Sequence, residues 1–192
     1  HAVADDDWEN NRKNVIWTDS HNEINAGLKR SYASLKADVK EKYDVTLKSF
    51  KAIGISGMMH GYLPFNEKGE LLADFRTWRN TITGEAAGIL TKEFNFNIPQ
   101  RWSIAHLYHA ILTDEAHVKD IAYFTTLAGY IHTLLTGEKV LGIGEASGMF
   151  PMEGNNYSAA MLDKFDELVA GKGYPWKIRE ILPTVLVAGE NA

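Results

Sequence analysis

Ile53-Gly-Ile-Ser-Gly-Met-Met-His-Gly61 carries the reading of this chain. Phe50–Ile55 is a short apolar run, the pattern of a buried strand, and Ser56-Gly57 closes it. Gly57 and Gly61 bound a turn that presents Met58, Met59 and His60. Glycine lets backbone come close to a ligand, His60 can hydrogen-bond a polyol through either ring nitrogen, and Met59 can line a pocket wall. The same residues also suit a buried turn whose histidine is satisfied internally, and both readings stay open on these residues alone.

Outward from this stretch, strands and helices alternate. Lys13–Trp17 reads as a strand. Ser20-His-Asn-Glu23 has the capping-box pattern, and Ile24, Leu28, Tyr32, Leu35, Val39 and Tyr43 follow as one stripe of a long amphipathic helix. Tyr62–Phe65 and Glu70–Leu72 flank Asn66-Glu-Lys-Gly69, a hairpin with glycine where φ must be positive. Ala86, Ile89, Leu90 and Phe94 predict a helix that ends before Asn97-Ile-Pro99. Ile104, Leu107, Tyr108, Ile111 and Leu112 predict another. Ile121–Thr125 reads as a strand, and a helix through Leu127, Tyr130, Ile131, Leu134 and Leu135 stops at Gly137. Met161, Phe165, Leu168 and Val169 mark a helix capped by Ser158 and ended by Gly171. Pro175 is expected as the first residue of a last short helix before Pro183. This order predicts an α/β (α+β mixed) class, helices packed on a mixed sheet. Ligands in open α/β sheets sit beyond the carboxyl ends of strands. Ser56–Gly61 and Phe75–Thr81 occupy such places.

In Phe75-Arg-Thr-Trp-Arg-Asn-Thr81, the Trp78 face suits the C–H edges of a sugar, while Arg79 and Asn80 suit its hydroxyls. A surface loop anchored by its tryptophan explains the segment equally well. His106 and His109, three apart with Asp114, Glu115 and His117 nearby, resemble metal-ligand spacing. Both fall off the apolar stripe of their helix, so a solvated or cleft-facing position is expected and no metal site is assigned. Gly142-Ile-Gly144-Glu-Ala-Ser-Gly148 lacks the spacing of the dinucleotide fingerprint and the Gly-Lys-Ser/Thr of a P-loop. Asp5, Asp6 and Asp7 form a charge run, and no catalytic acid–base pair stands out.

Bulk properties exclude several classes. The chain of 192 residues is long enough to bury a core without staples. Its net charge of −5 argues against nucleic acid as a partner. Cysteine is absent, which removes disulfides and thiol catalysis and fits a reducing, cytoplasmic compartment. No apolar run approaches the ~20 residues of a membrane span, and no membrane partner is expected.

The order of segments resembles the FGGY family of carbohydrate kinases, and its xylulokinase-like members in particular. Ala52-Ile-Gly-Ile-Ser-Gly-Met-Met-His-Gly61 is similar to the family's Gly-Ile/Leu-Ser-Gly-Gln-Met-His-Gly. Phe65-Asn-Glu-Lys-Gly-Glu70 resembles the Asp-x-x-Gly hairpin that follows it. Trp78-Arg-Asn80 falls where Trp-Asn/Gln-Asp-x-Arg is usual. Tyr130-Ile-His-Thr-Leu-Leu-Thr-Gly137, Glu145-Ala-Ser-Gly148 and Ile181-Leu-Pro-Thr-Val-Leu-Val-Ala-Gly-Glu190 resemble three later family segments in the right order. The departures are Met58 for glutamine, Asn80 for aspartate, Ile82 for arginine, and a His106 helix without the family's Lys and Trp.

The resemblance implies a partial actin-like, ribonuclease-H-like domain over residues 1–192, the sugar-binding side of a two-domain cleft. It implies sugar contacts from Met59, His60, Trp78, Arg79 and Asn80, with a small-molecule sugar as partner and a ketopentose such as xylulose as the first candidate. ATP and Mg²⁺ are implied for the full-length parent. The family's Asp-x-Gly-Thr phosphate hairpin and Gly-Asp-Asn-Ala-type catalytic segment do not occur in these residues. The chain is therefore expected to be an internal piece with no catalytic or cofactor-binding residue of its own, inactive alone. Exposed sheet edges and apolar surface are expected to favour association into homo-oligomers. A non-catalytic sugar-binding or regulatory relative is the alternative.

Overall fold

A strand needs a neighbour to satisfy its peptide groups, and the pairings of this chain are short. The computed structural model describes residue 16 and residues 18–191. The expected strand Lys13–Trp17 lies outside the described residues except for Ile16, and the Asp5–Asp7 run lies wholly outside them. In chain order the elements are β1 (Thr18–Asp19), α1 (His21–Tyr43), β2 (Leu63–Phe65), β3 (Phe75–Arg76), α2 (Gly84–Phe94), α3 (Ser103–Leu112), β4 (Tyr123–Thr125) and α4 (Leu127–Thr136). There follow β5 (Val140–Gly142), α5 (Ile143–Ala146), β6 (Met152–Glu153), β7 (Asn156–Tyr157), α6 (Ala159–Val169), α7 (Ile178–Ile181) and β8 (Thr184–Leu186). The class is mixed α/β, with small sheets and packed helices.

The strands pair two by two. β1 with β3, β2 with β4, and β6 with β7 are antiparallel, while β5 with β8 is parallel. An isolated bridge between Tyr62 and Arg76 joins the first two ladders edge to edge. The turn at Asn66–Gly69 forms as expected: Gly69 has φ 75°, and the Asn66 side chain accepts from the backbone N–H of Lys68 and Glu70 at 3.0 and 2.9 Å. Its arms meet in the short bridge Phe65–Leu71, where Asn66 N–H donates to the Glu70 carbonyl at 3.0 Å and Leu72 N–H to the Pro64 carbonyl at 2.9 Å, on the edge of β2 opposite β4.

One core unites α2, α3 and α6. Leu90 and Phe94 of α2, Ile104, Leu107 and Ile111 of α3, and Leu162 and Phe165 of α6 meet Phe124 and Phe150 in it. Each buried aliphatic or aromatic side chain contributes about 1.5–3 kcal/mol. α2 ends at Asn95, left-handed at φ 49°, ahead of the Asn97-Ile-Pro99 turn. α4 is capped by Thr126, whose hydroxyl accepts from Gly129 N–H, and it ends at Gly137 with φ 83°.

Several expectations are corrected. Phe50–Ile55 is not a strand. It pairs with no strand among the described residues, and Ile53 is 66% exposed. An apolar run becomes a strand only where a neighbour completes the ladder. α1 forms over the expected stripe but buries none of its residues, and Ser20 makes no side-chain cap bond. Exposed pairs Lys42–Asp38 and Lys40–Asp44 line it instead, and a reciprocal pair of hydrogen bonds between Asn25 and Tyr130, at 2.8 and 3.0 Å, ties it to α4. Ser158 precedes α6 without capping it, since its hydroxyl donates to Glu153 at 3.2 Å. After α6 a 3-10 turn over Ala170–Lys172 carries the chain past Gly171, and the left-handed stop is Gly173. Pro175 does not begin a helix: α7 starts at Ile178. Trp176 is buried, donates its indole N–H to the Val118 carbonyl at 2.9 Å and stacks on Tyr174, which holds this stretch against the core.

Candidate functional site

The turn 57–61 is shaped by close backbone approach. Gly57 lies against the start of α4, where Ala128 N–H donates to the Met58 carbonyl, and a Cβ at Gly57 would sit 3.2 Å from the Ala128 Cα. Gly61 has φ 108°, and a Cβ there would meet the Arg76 carbonyl oxygen at 2.6 Å. The Ser103 hydroxyl donates to the Gly61 carbonyl at 2.5 Å, pinning the end of the turn to the start of α3. The 3.0 Å pairing of Tyr62 N–H with the Arg76 carbonyl then runs the chain beside β3. The segment after β3 is thereby brought to the same side as the turn.

The result is a groove of about 520 Å³ lined by Gly57, Met58, Met59, His60, Trp78 and Arg101. Met59, His60 and Trp78, from two distant expected segments, meet in it. Arg79 lies alongside, its guanidinium carbon 5.7 Å from the Trp78 ring centroid. Asn80 is 2% exposed, and its amide donates to the Thr77 carbonyl at 2.9 Å, closing the turn that carries Trp78. The structure thus puts Asn80 under the loop rather than in the groove lining. Trp78 is 50% exposed.

His60 is held at both nitrogens. Its Nδ1 lies 3.3 Å from the Gly148 carbonyl, and Arg101 Nε–H donates to its Nε2 at 3.1 Å. A carbonyl only accepts and a guanidinium only donates. The proton therefore sits on Nδ1, and the Nε2 lone pair accepts from Arg101 at the groove wall. Burial pulls the His60 pKa below its ordinary value, the Gly148 bond works against this, and the Arg101 charge lowers it further. Gly148 is glycine for a steric reason: a Cβ there would lie 2.3 Å from the Met59 carbonyl oxygen and 2.6 Å from His60 Nδ1. Nearby in the chain, Thr126 donates to the half-buried Glu145 carboxylate at 3.2 Å. Burial raises the pKa of that group, and the Thr126 bond opposes the rise.

Arg101 in the groove lining, and Gly148 beneath His60, are the parts of the site that sequence reasoning missed. Arg101 follows the Asn97-Ile-Pro99 turn immediately before α3, and no spacing ties it to His60. Gly148 lies in a glycine-rich stretch compared with phosphate loops and with a family segment but given no site role, whereas its use is close packing under the histidine.

His106 is a further correction. It is fully buried in α3, parallel to the Tyr62 ring, and neither ring nitrogen has a hydrogen-bond partner. Burial, with smaller contributions from Arg76 and His109, lowers its pKa to about 3. His109 is half-buried. Around Tyr62 a separate polar cluster forms: its hydroxyl is 2.9 Å from His117 Nε2, and Arg76 makes a two-pronged ion pair with Glu115. Among the described residues no three His, Cys, Asp or Glu side chains are grouped to hold a metal ion, and no helix is long and apolar enough to cross a membrane.

The arrangement of short sheets and packed helices is similar to that of solved sugar-kinase structures. A xyloylose kinase from Brucella ovis superposes with a TM-score of 0.74 at 16% identity, over 95% of this chain and 37% of that one. A xylulose kinase from Rhodospirillum rubrum gives 0.64 at 17% identity, over 92% and 42%. A gluconate kinase from Lactobacillus acidophilus gives 0.60 at 16% identity, over 82% and 32%. The chain spans about two fifths or less of the length of these structures. At such identity the likeness defines the fold. No family model and no curated protein matches the sequence.

Proposed function

We propose that residues 1–192 are the sugar-binding portion of the N-terminal domain of an ATP-dependent carbohydrate kinase of the FGGY type, working in the cytoplasm. The observation that carries this reading is the meeting of Met59, His60 and Trp78 in one groove within a sugar-kinase fold. In this reading the Trp78 face and the methionine side chains cover C–H edges of the sugar, and His60 Nε2 accepts from one of its hydroxyls. Arg79 sets the Trp78 ring, and Asn80 shapes the loop below it. A ketopentose such as xylulose is the first candidate acceptor, suggested by the motif order and consistent with what several fold neighbours are called.

The groove lining contains no carboxylate to hold Mg²⁺ and no Gly-Lys-Ser/Thr loop for phosphates. ATP, Mg²⁺ and the general base are therefore assigned to the remainder of the full-length enzyme, and these residues alone are expected to be inactive. In the reaction the sugar oxygen bonds to the γ-phosphorus, the bond from that phosphorus to the β–γ bridging oxygen breaks, and the hydroxyl proton passes to the base. This chain's part is to bind and orient the hydroxyl.

Coupled ATP turnover by the full-length protein over a panel of ketoses and polyols tests the proposal. One or more sugars should be phosphorylated, and His60→Ala should raise the KM for that sugar at least tenfold. An unchanged KM would sink the site assignment. Sugar binding without any turnover would favour the non-catalytic alternative.

A further inference from the structure

We propose that Arg101 is a specificity-determining residue of the groove, which together with His60 reads a single sugar hydroxyl from both sides. The inference rests on the carbohydrate-kinase reading and adds a residue that none of its motifs contains. Three observations carry it. His60 Nδ1–H is committed to the Gly148 carbonyl, so Nε2 is an acceptor. Arg101 Nε–H occupies that acceptor directly at 3.1 Å. Arg101 is itself an exposed lining residue, and no carboxylate among the described residues pairs with it.

A hydroxyl is the group that fits between an obligate acceptor and an obligate donor, because it gives one proton and accepts another. Entering the groove, it donates O–H to His60 Nε2 and its oxygen accepts from the Arg101 guanidinium. Arg101 swings outward by a hydroxyl's width on a side chain that little else restrains. A ketone, an ether or a methylene at that place meets only one partner or neither. Selection should therefore be sharp against the analogue lacking that hydroxyl, since neither His60 nor Arg101 then gains its bond to the sugar. The guanidinium has a second consequence. Its charge, added to burial, disfavours protonation of His60, which would turn the acceptor into a donor.

The test uses the full-length protein, with a sugar that the unaltered enzyme phosphorylates and its series of monodeoxy analogues. Arg101→Gln should raise the sugar KM about tenfold while kcat changes less than threefold, the loss of one charged hydrogen bond. Arg101→Lys should recover part of the affinity. One deoxy analogue should be a poor substrate for the unaltered enzyme, and its KM should be nearly insensitive to Arg101→Gln. The acid limb of the KM–pH profile should move to higher pH in Arg101→Gln, since the cation disfavouring protonated His60 is gone. A packing role would shift none of the last three readouts. Unchanged KM and an unmoved acid limb in Arg101→Gln overturn the inference while the kinase reading stands. Neither turnover nor binding of any sugar by the unaltered protein overturns both. Because Arg101 is exposed, the variant should keep the thermal midpoint of the unaltered protein.

Discussion

His106 is a neutral imidazole sealed in the α3 core with no hydrogen-bond partner for either nitrogen. Its pKa is depressed to about 3, from an ordinary value of 6.5. Above pH 6.5 it is neutral folded and unfolded, and contributes nothing to pH dependence. Below that, the unfolded chain binds a proton that the folded chain refuses, so stability falls as pH drops toward about 3. The slope is about 1.4 kcal/mol per pH unit for one group. His106→Leu should remove this share, making the variant's stability at pH 5 closer to its own value at pH 7.5 than is true of the unaltered chain. Urea midpoints at the two pH values check it, and identical pH dependence would refute it. Gly148 acts at the same scale. Gly148→Ala puts a methyl where the Met59 carbonyl and the His60 ring already lie. Overpacking of this kind costs about 1–3 kcal/mol, and sugar KM should rise at least tenfold because His60 must move. A variant that binds sugar normally would show that the ring position is not needed. The sequence made His60 legible through its glycine-bounded turn. It could not reveal that Gly148 and Arg101 fix the ring's tautomer, because those partners lie 88 and 41 residues away.

At the scale of elements, the junction of β3 with the end of α3 is clamped by Arg76 and Glu115. The Arg76 side chain is almost wholly buried and Glu115 about three quarters so. Burial pushes the Glu115 pKa up, but the hydrogen bond and charge of Arg76, with His117 and His109, outweigh it and hold the carboxyl below its usual range. The stabilisation from this shift is present above the ordinary glutamate pKa and is lost as pH falls through the lower folded value. Glu115→Gln leaves the guanidinium without a countercharge and should cost about 3 kcal/mol, read as a lower denaturant midpoint with unchanged m. A loss below half that would mean that solvent already screens the pair. Helix interiors were the legible part at this scale: the stripes of α2, α3 and α6 face the core as their spacing predicts. Ends were not, where two signals competed. Gly171 and Gly173 both suit a stop, and Pro175 suits a helix start. The anchoring of Trp176 on the Val118 carbonyl, across 58 residues, decides against Pro175.

For the whole molecule, α1 and the segment after it leave apolar side chains in solvent: Tyr32, Leu35, Tyr43, Val45, Phe50 and Ile53 are all exposed. Contiguous apolar surface favours association. The 192-residue chain should therefore self-associate as its concentration rises, and replacing Tyr43 and Ile53 with lysine should suppress this. A monomer at every concentration in sedimentation would count against it. The amino-acid sequence by itself determined the mixed class, most of the helices, the Gly69 turn and two of the segments that build the groove. It did so because periodicity and glycine placement are local consequences of backbone geometry. Tertiary structure decided that Phe50–Ile55 is no strand, that the α1 stripe has no fully buried residue among the described residues, that His106 is buried, and that Arg101 and Gly148 complete the site. Each of these depends on what lies across space, a neighbouring strand, a facing surface or a distant carbonyl, and no local pattern encodes it.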